Sequence, residues 1–185
     1  MSSNHESVSP LNEIVAELGR TTPIDRRAIL RWMHTDDIEA MGALTSLLGE
    51  PRHLERVRPS MTFDDWYTFV VKYYERIFSE NPDGEWSDSR ITGGWDFAKW
   101  FVELWEDETV SRDVLLQLKE MLARLCKQGR TDICNGLVTA VLEHLFKRRE
   151  IRSYFSDWDK EPVLRAARDE ASYLADVALK LSPRR

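Results

Sequence analysis

Acidic side chains in the middle of the chain are the residues whose types and spacing best suit chemistry. The segment 83–88 places Asp83, Glu85 and Asp88 around Trp86. A second acidic group follows at helical spacing, namely Asp96, Glu103, Glu106 and Asp107. Grouped carboxylates can bind a divalent cation, exchange protons with a substrate, or contact a cationic protein.

Known metal-binding, nucleophile and nucleotide-binding motifs do not support these carboxylates as a catalytic centre. The one Glu-x-x-His spacing runs from Glu50 to His53, and Pro51 disrupts the helical geometry that a metal pair needs. The spacing Asp83-x-Glu85-x-x-Asp88 resembles a fragment of a calcium loop but lacks the full pattern. HExxH, GxSxG and GxGxxG are absent. We assign no catalytic residue, metal ligand or cofactor, and a metal-dependent enzyme is the least favoured function.

The cysteines and one histidine favour structural roles. Cys126 and Cys134 do not form a CxxC pair, and both fall within predicted helices. This spacing favours two free thiols, as in a reducing cytosol, over a disulfide. Apolar helical surroundings predict raised thiol pKa values, which argues against a nucleophilic role. His144 falls on the apolar arc of a predicted helix and is interpreted as a core histidine.

Charge and aromatic residues are distributed unevenly along the 185 residues. The net charge of −6 argues against a general nucleic-acid binder. Residues 61–110 hold 12 acidic and 4 basic residues together with 13 of the 19 aromatic residues. The C-terminal third is mildly basic, with its densest cluster at Lys147, Arg148, Arg149 and Arg152. The acidic, aromatic middle therefore favours a basic protein partner.

The hydropathy pattern predicts neither a membrane span nor an export signal. No apolar run approaches the roughly 18–20 residues of a membrane span. Residues 1–9 are polar and lack the apolar core of a signal peptide. We therefore expect a cytoplasmic protein that binds neither membrane nor nucleic acid.

Hydrophobic periodicity predicts an all-α protein with seven or eight helices and short connections. Period-two alternation is absent, so no segment is predicted as a strand. Capping residues and glycines predict helices at 10–19, 23–33, 35–48, 62–79, 95–107, 112–128, 131–147 and 159–181. We expect one helical domain over residues 10–182 after a flexible tail at 1–9. Both a compact bundle and stacked antiparallel helical hairpins fit this pattern.

Two aromatic helices and the loop between them contain the candidate site. Helix 62–79 is amphipathic, and its apolar arc is interpreted as core. Helix 95–107 is apolar over about 220° of its circumference, which fits a central helix or one partly turned toward a partner. The connection 80–94 is long, and Gly93-Gly94 predicts a flexible start to the next helix. Trp86 on this loop belongs either to a recognition surface or to a side chain folded back onto the body.

A C-terminal stretch resembles a class of known proteins. Residues 134–146, CNGLVTAVLEHLF, and the following Arg152-Ser-Tyr-Phe155 are similar to a segment of small helical bacterial proteins of uncharacterised function. Some of those proteins look like immunity proteins that neutralise secreted toxins. The resemblance contains no catalytic motif; it implies a small cytoplasmic binding protein and transfers no functional residue.

Together these observations favour a non-enzymatic protein-binding module, most concretely an immunity protein that neutralises a basic toxin domain. The expected contact residues are Glu85, Trp86, Asp88, Asp96, Glu103, Glu106 and Asp107. The alternative is a regulatory or scaffolding helical protein whose partner binds the basic C-terminal third, through Arg148, Arg149 and Arg152. Exposed aromatic residues are also compatible with a homodimer.

Overall fold

The computed structural model describes residues 9–181, most of which are helical. The α-helices are α1 (Pro10–Leu18), α2 (Arg26–Trp32), α3 (Ile38–Gly49), α4 (Pro51–Leu54), α5 (Phe63–Glu80), α6 (Arg90–Glu106), α7 (Arg112–Lys127), α8 (Thr131–Leu137), α9 (Glu143–Phe146), α10 (Arg149–Tyr154) and α11 (Pro162–Leu181). A π-helical segment, Val138–Leu142, joins α8 to α9, and a 3₁₀ helix, Ser156–Lys160, precedes α11. The predicted all-α fold class is confirmed. The helices α4 and α10, which the sequence does not predict, are short.

Two very short strands are present, although the sequence predicts none. β1 (Ile24–Asp25) and β2 (Val57–Arg58) pair in parallel, with Ile24 opposite Val57. Both of these apolar side chains are buried. Two residues are too few for the alternation of apolar and polar side chains by which a strand is predicted.

The described chain divides into two compact units. The first comprises residues 9–76 and 82–88, and the second comprises residues 77–81 and 89–181. The extent of one domain over 10–182 stays a prediction. Residues 1–8 of the predicted tail, and residue 182, lie outside the described residues. Within 9–181, no helix combines the length and the apolar character that a bilayer crossing requires.

In the first unit, α3 is the central helix, and α1, α2 and α4 pack against it. Its buried residues include Ala40, Met41, Ala43, Leu44 and Leu47. α1 begins at Pro10, as predicted, because Ser9 Oγ accepts a hydrogen bond from the backbone N–H of Asn12 at 3.3 Å. The first part of α5 adds the buried side chains of Phe69 and Tyr73 to this unit.

In the second unit, the π-helical segment is the central element. α6 and α11 both pack against it, and most of its residues are buried. Edge-to-face aromatic pairs fill the surrounding core, as aromatic rings prefer. They are Phe78 with Phe97 at 5.4 Å between centroids, Phe146 with Phe155 at 5.4 Å, and Phe155 with Trp158 at 4.9 Å. This core provides the rigid support for the exposed face of α6.

The start of α6 corrects the sequence-based prediction. The sequence predicts a helix from Trp95, whereas α6 begins at Arg90. Ser89 is the residue that caps it, because its Oγ accepts the backbone N–H of Thr92 at 3.2 Å. The connection between α5 and α6 is therefore only residues 81–89.

The glycine pair predicted to be a flexible entry to this helix lies inside it. Gly93 and Gly94 are both buried in the first turns of α6. A Cβ on Gly94 would lie 2.5 Å from the Cβ of Ala140 in the π-helical segment. Glycine is therefore present because two helical backbones approach each other closely here, and not because the chain is mobile.

Candidate functional site

The predicted contact residues fall into two groups, one in each compact unit. Glu85, Trp86 and Asp88 lie on the loop that precedes α6 and belong to the first unit. The second group belongs to the second unit and lies along α6 and at its C-terminal end, namely Asp96, Glu103, Glu106 and Asp107. Within each group, the predicted contact residues therefore lie near one another, on the loop before α6 or along α6 and at its end.

The loop of the first group is held by Glu39, a residue of α3. The Glu39 carboxylate accepts the backbone N–H of Trp86 at 2.9 Å and the hydroxyl of Ser87. Burial favours the neutral carboxyl group, but the hydrogen bonds from Ser87 and from the backbone of residues 85–87 outweigh burial and lower the pKa of Glu39. An ionised side chain therefore orders this loop.

Two glycines allow the same loop to lie directly on α3. A Cβ on Gly42 would overlap the backbone carbonyl of Trp86, and a Cβ on Gly84 would overlap the carboxylate of Glu39. In this arrangement Trp86 is half-buried, whereas Glu85 is exposed. Glu85 is therefore the residue of this group whose charge faces solvent.

Asp88, the third predicted contact residue of the loop, is bonded to Tyr73. The Tyr73 hydroxyl donates to Asp88 Oδ2 and accepts from the backbone N–H of Asp88, both at 3.1 Å. Burial raises the pKa of Tyr73, so its hydroxyl keeps the proton that it donates. Asp88 thus has a structural role within the first unit, and its contact role stays a prediction.

The second group forms an acidic strip on α6, because residues 96, 103 and 106 recur at helical spacing. Asp96 and Glu103 are exposed, and Glu103 Oε1 is 3.9 Å from Lys99 Nζ. Glu106 forms an ion pair with Arg148. Exposed ion pairs contribute little stability, so these carboxylates can exchange their present partners for others at small cost.

Asp107, at the end of the strip, shapes the turn that follows α6. Its carboxylate accepts the hydroxyl of Thr109 at 2.7 Å and the backbone N–H of the same residue at 2.9 Å. These bonds lower the pKa of Asp107. The predicted contact residue is therefore also a turn residue of the kind that aspartate commonly forms.

A surface recess of about 350 Å³ lies beside the acidic strip. Trp95, Val102 and Glu103 of α6 line it, together with His144 and Arg148. Trp95 is 51% exposed, and its ring meets the ring of His144 edge to face, with 6.2 Å between centroids. The recess therefore combines an exposed indole with a carboxylate and a guanidinium.

His144, interpreted from the sequence as a core histidine, is half-buried at this recess. Burial lowers its pKa, the neighbouring Lys147 lowers it further, and Glu143 acts in the opposite direction. The Nδ1 atom of His144 is 3.4 Å from Lys147 Nζ. A neutral imidazole at this position can form a hydrogen bond without adding positive charge.

The basic cluster of the C-terminal third is largely paired within the second unit. Its ion pairs are Arg152 with Asp176 at 2.8 Å, Lys147 with Glu143 at 3.7 Å, and Arg148 with Glu106. Arg152 also donates to the backbone carbonyl of Phe146 at 2.8 Å. Much of the positive charge that the alternative hypothesis needs is therefore neutralised within the chain.

Trp95 and Glu39 are the residues of these surfaces that sequence reasoning did not assign to a site. Trp95 belongs to the apolar residues of the predicted helix 95–107, but an apolar arc of about 220° is too wide for one buried stripe and indicates that an edge residue is exposed. Glu39 gave no signal, because its partners lie more than forty positions away in the sequence.

Neither a group of metal ligands among the described residues nor a similar known protein indicates the function of this chain. Among residues 9–181, no three histidine, cysteine, aspartate or glutamate side chains are grouped so that they could hold a metal ion. Comparisons with protein-family models, curated proteins and solved structures found no match. Function is therefore inferred from the surface itself.

Proposed function

We propose that this chain is a non-enzymatic protein-binding protein whose α6 face takes a basic partner, most concretely a toxin domain that it neutralises as an immunity protein. The observation that carries the proposal is the exposed Trp95 beside Glu103 at the recess. Tryptophan is enriched at the energetic centres of protein interfaces, because it combines a large apolar surface with a hydrogen-bond donor.

The carboxylates of the acidic strip supply the electrostatic part of the proposed interaction. Asp96 and Glu103 are exposed, and exposed charges attract a cationic partner over a Debye length, about 8 Å at physiological ionic strength. The Glu106–Arg148 pair can give way to a cation of the partner. We therefore expect association that is fast and sensitive to salt.

The opposite side of α6 keeps this surface rigid. Phe97, Phe101 and Leu104 are buried, so the helix cannot rotate without disrupting the core of the second unit. The ring contact with His144 restricts the orientation of Trp95. A surface that is ordered before binding loses less conformational entropy when the partner docks.

A regulatory or scaffolding protein is the second candidate, and exposed apolar side chains on α11 favour it. Tyr173 is 66% exposed and Leu179 is 50% exposed. Asp176 of the same helix pairs with Arg152 of the basic cluster. In this alternative the partner contacts α11 and the basic cluster, and substitutions on α6 leave binding unchanged.

Partner capture from the source cells, at low and moderate salt, tests the proposal. We would compare the tagged wild-type protein with Trp95→Ala and with the double variant Asp96→Lys/Glu103→Lys. Tyr173→Ala is the matched control, because it removes an exposed aromatic side chain from α11. We expect one dominant basic protein that binds wild type and the control, binds both α6 variants weakly, and is released by salt.

The captured partner then allows a direct test of neutralisation. Cells that express the partner alone should grow poorly, and coexpression of this chain, but not of the α6 variants, should restore growth. Equal capture by wild type and the α6 variants, loss of capture by Tyr173→Ala alone, or no captured protein at either salt would each overturn the proposal.

A further inference from the structure

The two cysteines of the chain lie side by side in the second unit. Cys126 is in the last turn of α7 and Cys134 is in α8, on opposite sides of a short turn. Gly129 makes this turn with a φ of 77°, in the left-handed region that favours glycine. The two Sγ atoms are 2.8 Å apart. The turn thus places in direct contact two thiols that sequence spacing alone predicts to be independent.

The two sulfurs differ in their access to solvent. Cys126 is 2% exposed, whereas Cys134 is half-buried and therefore more accessible. Both residues line a groove of about 460 Å³, whose other side is formed by residues of α11 that include Val163 and Ala166. A small molecule that enters this groove therefore meets Cys134 first, with Cys126 behind it.

The contact between the thiols also shifts their pKa values in opposite directions. The hydrogen bond with Cys134 raises the pKa of Cys126, and burial raises it further. The same bond lowers the pKa of Cys134, although burial and the nearby Glu170 act against this. For Cys134 this direction is opposite to the raised value predicted from the sequence. The more accessible sulfur is thus also the one that more readily becomes a thiolate, which is the reactive form.

We propose that Cys126 and Cys134 form a reversible dithiol–disulfide site that reacts in this groove with low-molecular-weight disulfides. A disulfide requires sulfurs about 2.05 Å apart, so closing the bond needs a sulfur movement of roughly 0.8 Å. The proposal requires that rotation of the two side chains supplies this movement. The site is independent of the proposed protein-binding face.

The reaction proceeds by two exchanges. The Cys134 thiolate attacks one sulfur of a small disulfide RSSR, a mixed disulfide forms, the bond between the two R-bearing sulfurs breaks, and RS⁻ leaves. Cys126 then loses its proton, and its sulfur attacks Cys134 Sγ, which releases the second RS⁻. The two RS⁻ ions take up the two protons that the protein thiols lose. In total, two protein thiols transfer two electrons to RSSR and yield one protein disulfide and two RSH.

Incubation of the reduced, folded chain with oxidised glutathione tests this site. We expect wild type to lose the mass of two hydrogen atoms, to retain no free thiol, and to melt about 5 °C higher, because the bond restricts the unfolded chain. Cys126→Ser should stop at a stable adduct of one glutathione on Cys134. Cys134→Ser should react at least about tenfold more slowly, because its remaining thiol is buried.

Denaturant provides the control for access and geometry. In urea, where neither thiol is buried, the two serine variants should react at similar rates. The proposal fails if folded wild type keeps both thiols free, ends as a glutathione adduct or forms disulfide-linked dimers. It also fails if folded Cys134→Ser reacts as fast as Cys126→Ser. Even if a serine variant does not fold, the mass of the wild-type product distinguishes an internal disulfide from free thiols, a glutathione adduct or a disulfide-linked dimer.

Discussion

The carboxylate of Glu39 accepts the backbone N–H of Trp86 at 2.9 Å, so a residue of α3 fixes the loop that carries three predicted contact residues. The same carboxylate accepts the hydroxyl of Ser87. A charged acceptor binds such donors about twice as strongly as a neutral one. The loop is therefore part of the folded first unit.

Glu39→Gln should destabilise the first unit by about 1–3 kcal/mol, because a neutral amide replaces the charged acceptor and turns N–H groups toward the loop donors. Urea unfolding measures the loss, and hydrogen exchange of the amides at residues 85–87 should become faster. Glu55→Gln, an exposed position of the same unit, is the control and should have no effect. Unchanged exchange at residues 85–87 would show that Glu39 does not hold the loop.

Acid should remove the stabilisation that Glu39 provides. The pKa of Glu39 is lowered in the folded chain from its ordinary value of 4.5, so folding favours the ionised form. This contribution is complete above the pKa of the unfolded chain and is lost as the pH falls through the folded pKa. The difference in melting temperature between wild type and Glu39→Gln should thus shrink steadily below about pH 4.5. A difference that stays constant from neutral to acidic pH would contradict an ionised Glu39.

Gly94→Ala should destabilise the second unit by about 1–3 kcal/mol, because the added methyl group forces α6 away from Ala140. Gly49→Ala is the matched control. Gly49 is also helical, but a Cβ there would have no neighbour within 4 Å. We expect this control to be neutral or slightly stabilising, since alanine favours helix over glycine. Equal urea midpoints for the two variants would exclude the close approach.

Arg90→Ala should destabilise the second unit by about 2–3 kcal/mol, because it removes two hydrogen bonds from a charged donor, one of them to the buried carbonyl group of Phe78. The buried Arg90 donates through Nε to the carbonyl of Phe78 at 2.6 Å and through Nη1 to that of Asp132 at 3.1 Å. Arg90→Lys should recover only part of the loss in stability, since one ammonium group does not reproduce the directions of the hydrogen bonds to both carbonyl groups. Exposed Arg149→Ala is the control for thermal unfolding, and equal effects at both positions would argue against this role.

Local signals account for the parts of the fold that the sequence predicts well. α1 and α7 begin at the predicted residues 10 and 112, because the capping hydroxyls of Ser9 and Ser111 act on residues next to them in the chain. The early start of α6 was missed because Gly93 and Gly94 are poor helix formers by themselves, at about 1 kcal/mol each. The close approach of Gly94 to Ala140, which is distant in sequence, requires glycine inside the helix at this position.

The candidate sites were predicted less completely, for the same reason. Composition indicates an acidic, aromatic surface, but it does not show that Asp88 and Asp107 are bonded to Tyr73 and Thr109. The contact between Cys126 and Cys134 depends on how one turn orients two helices. Sequence reasoning thus identified the residue types, and tertiary packing determines which of them remain free to react or bind.

The affinity of the captured partner for wild type and for Asp96→Lys/Glu103→Lys, measured across a range of salt concentrations, tests the central proposal most directly. We expect charge reversal to weaken binding at least about tenfold at low salt, which corresponds to about 1.4 kcal/mol, and to flatten the salt dependence. Affinities that agree within about twofold, with the same salt dependence, would contradict a partner-binding role for the acidic face of α6.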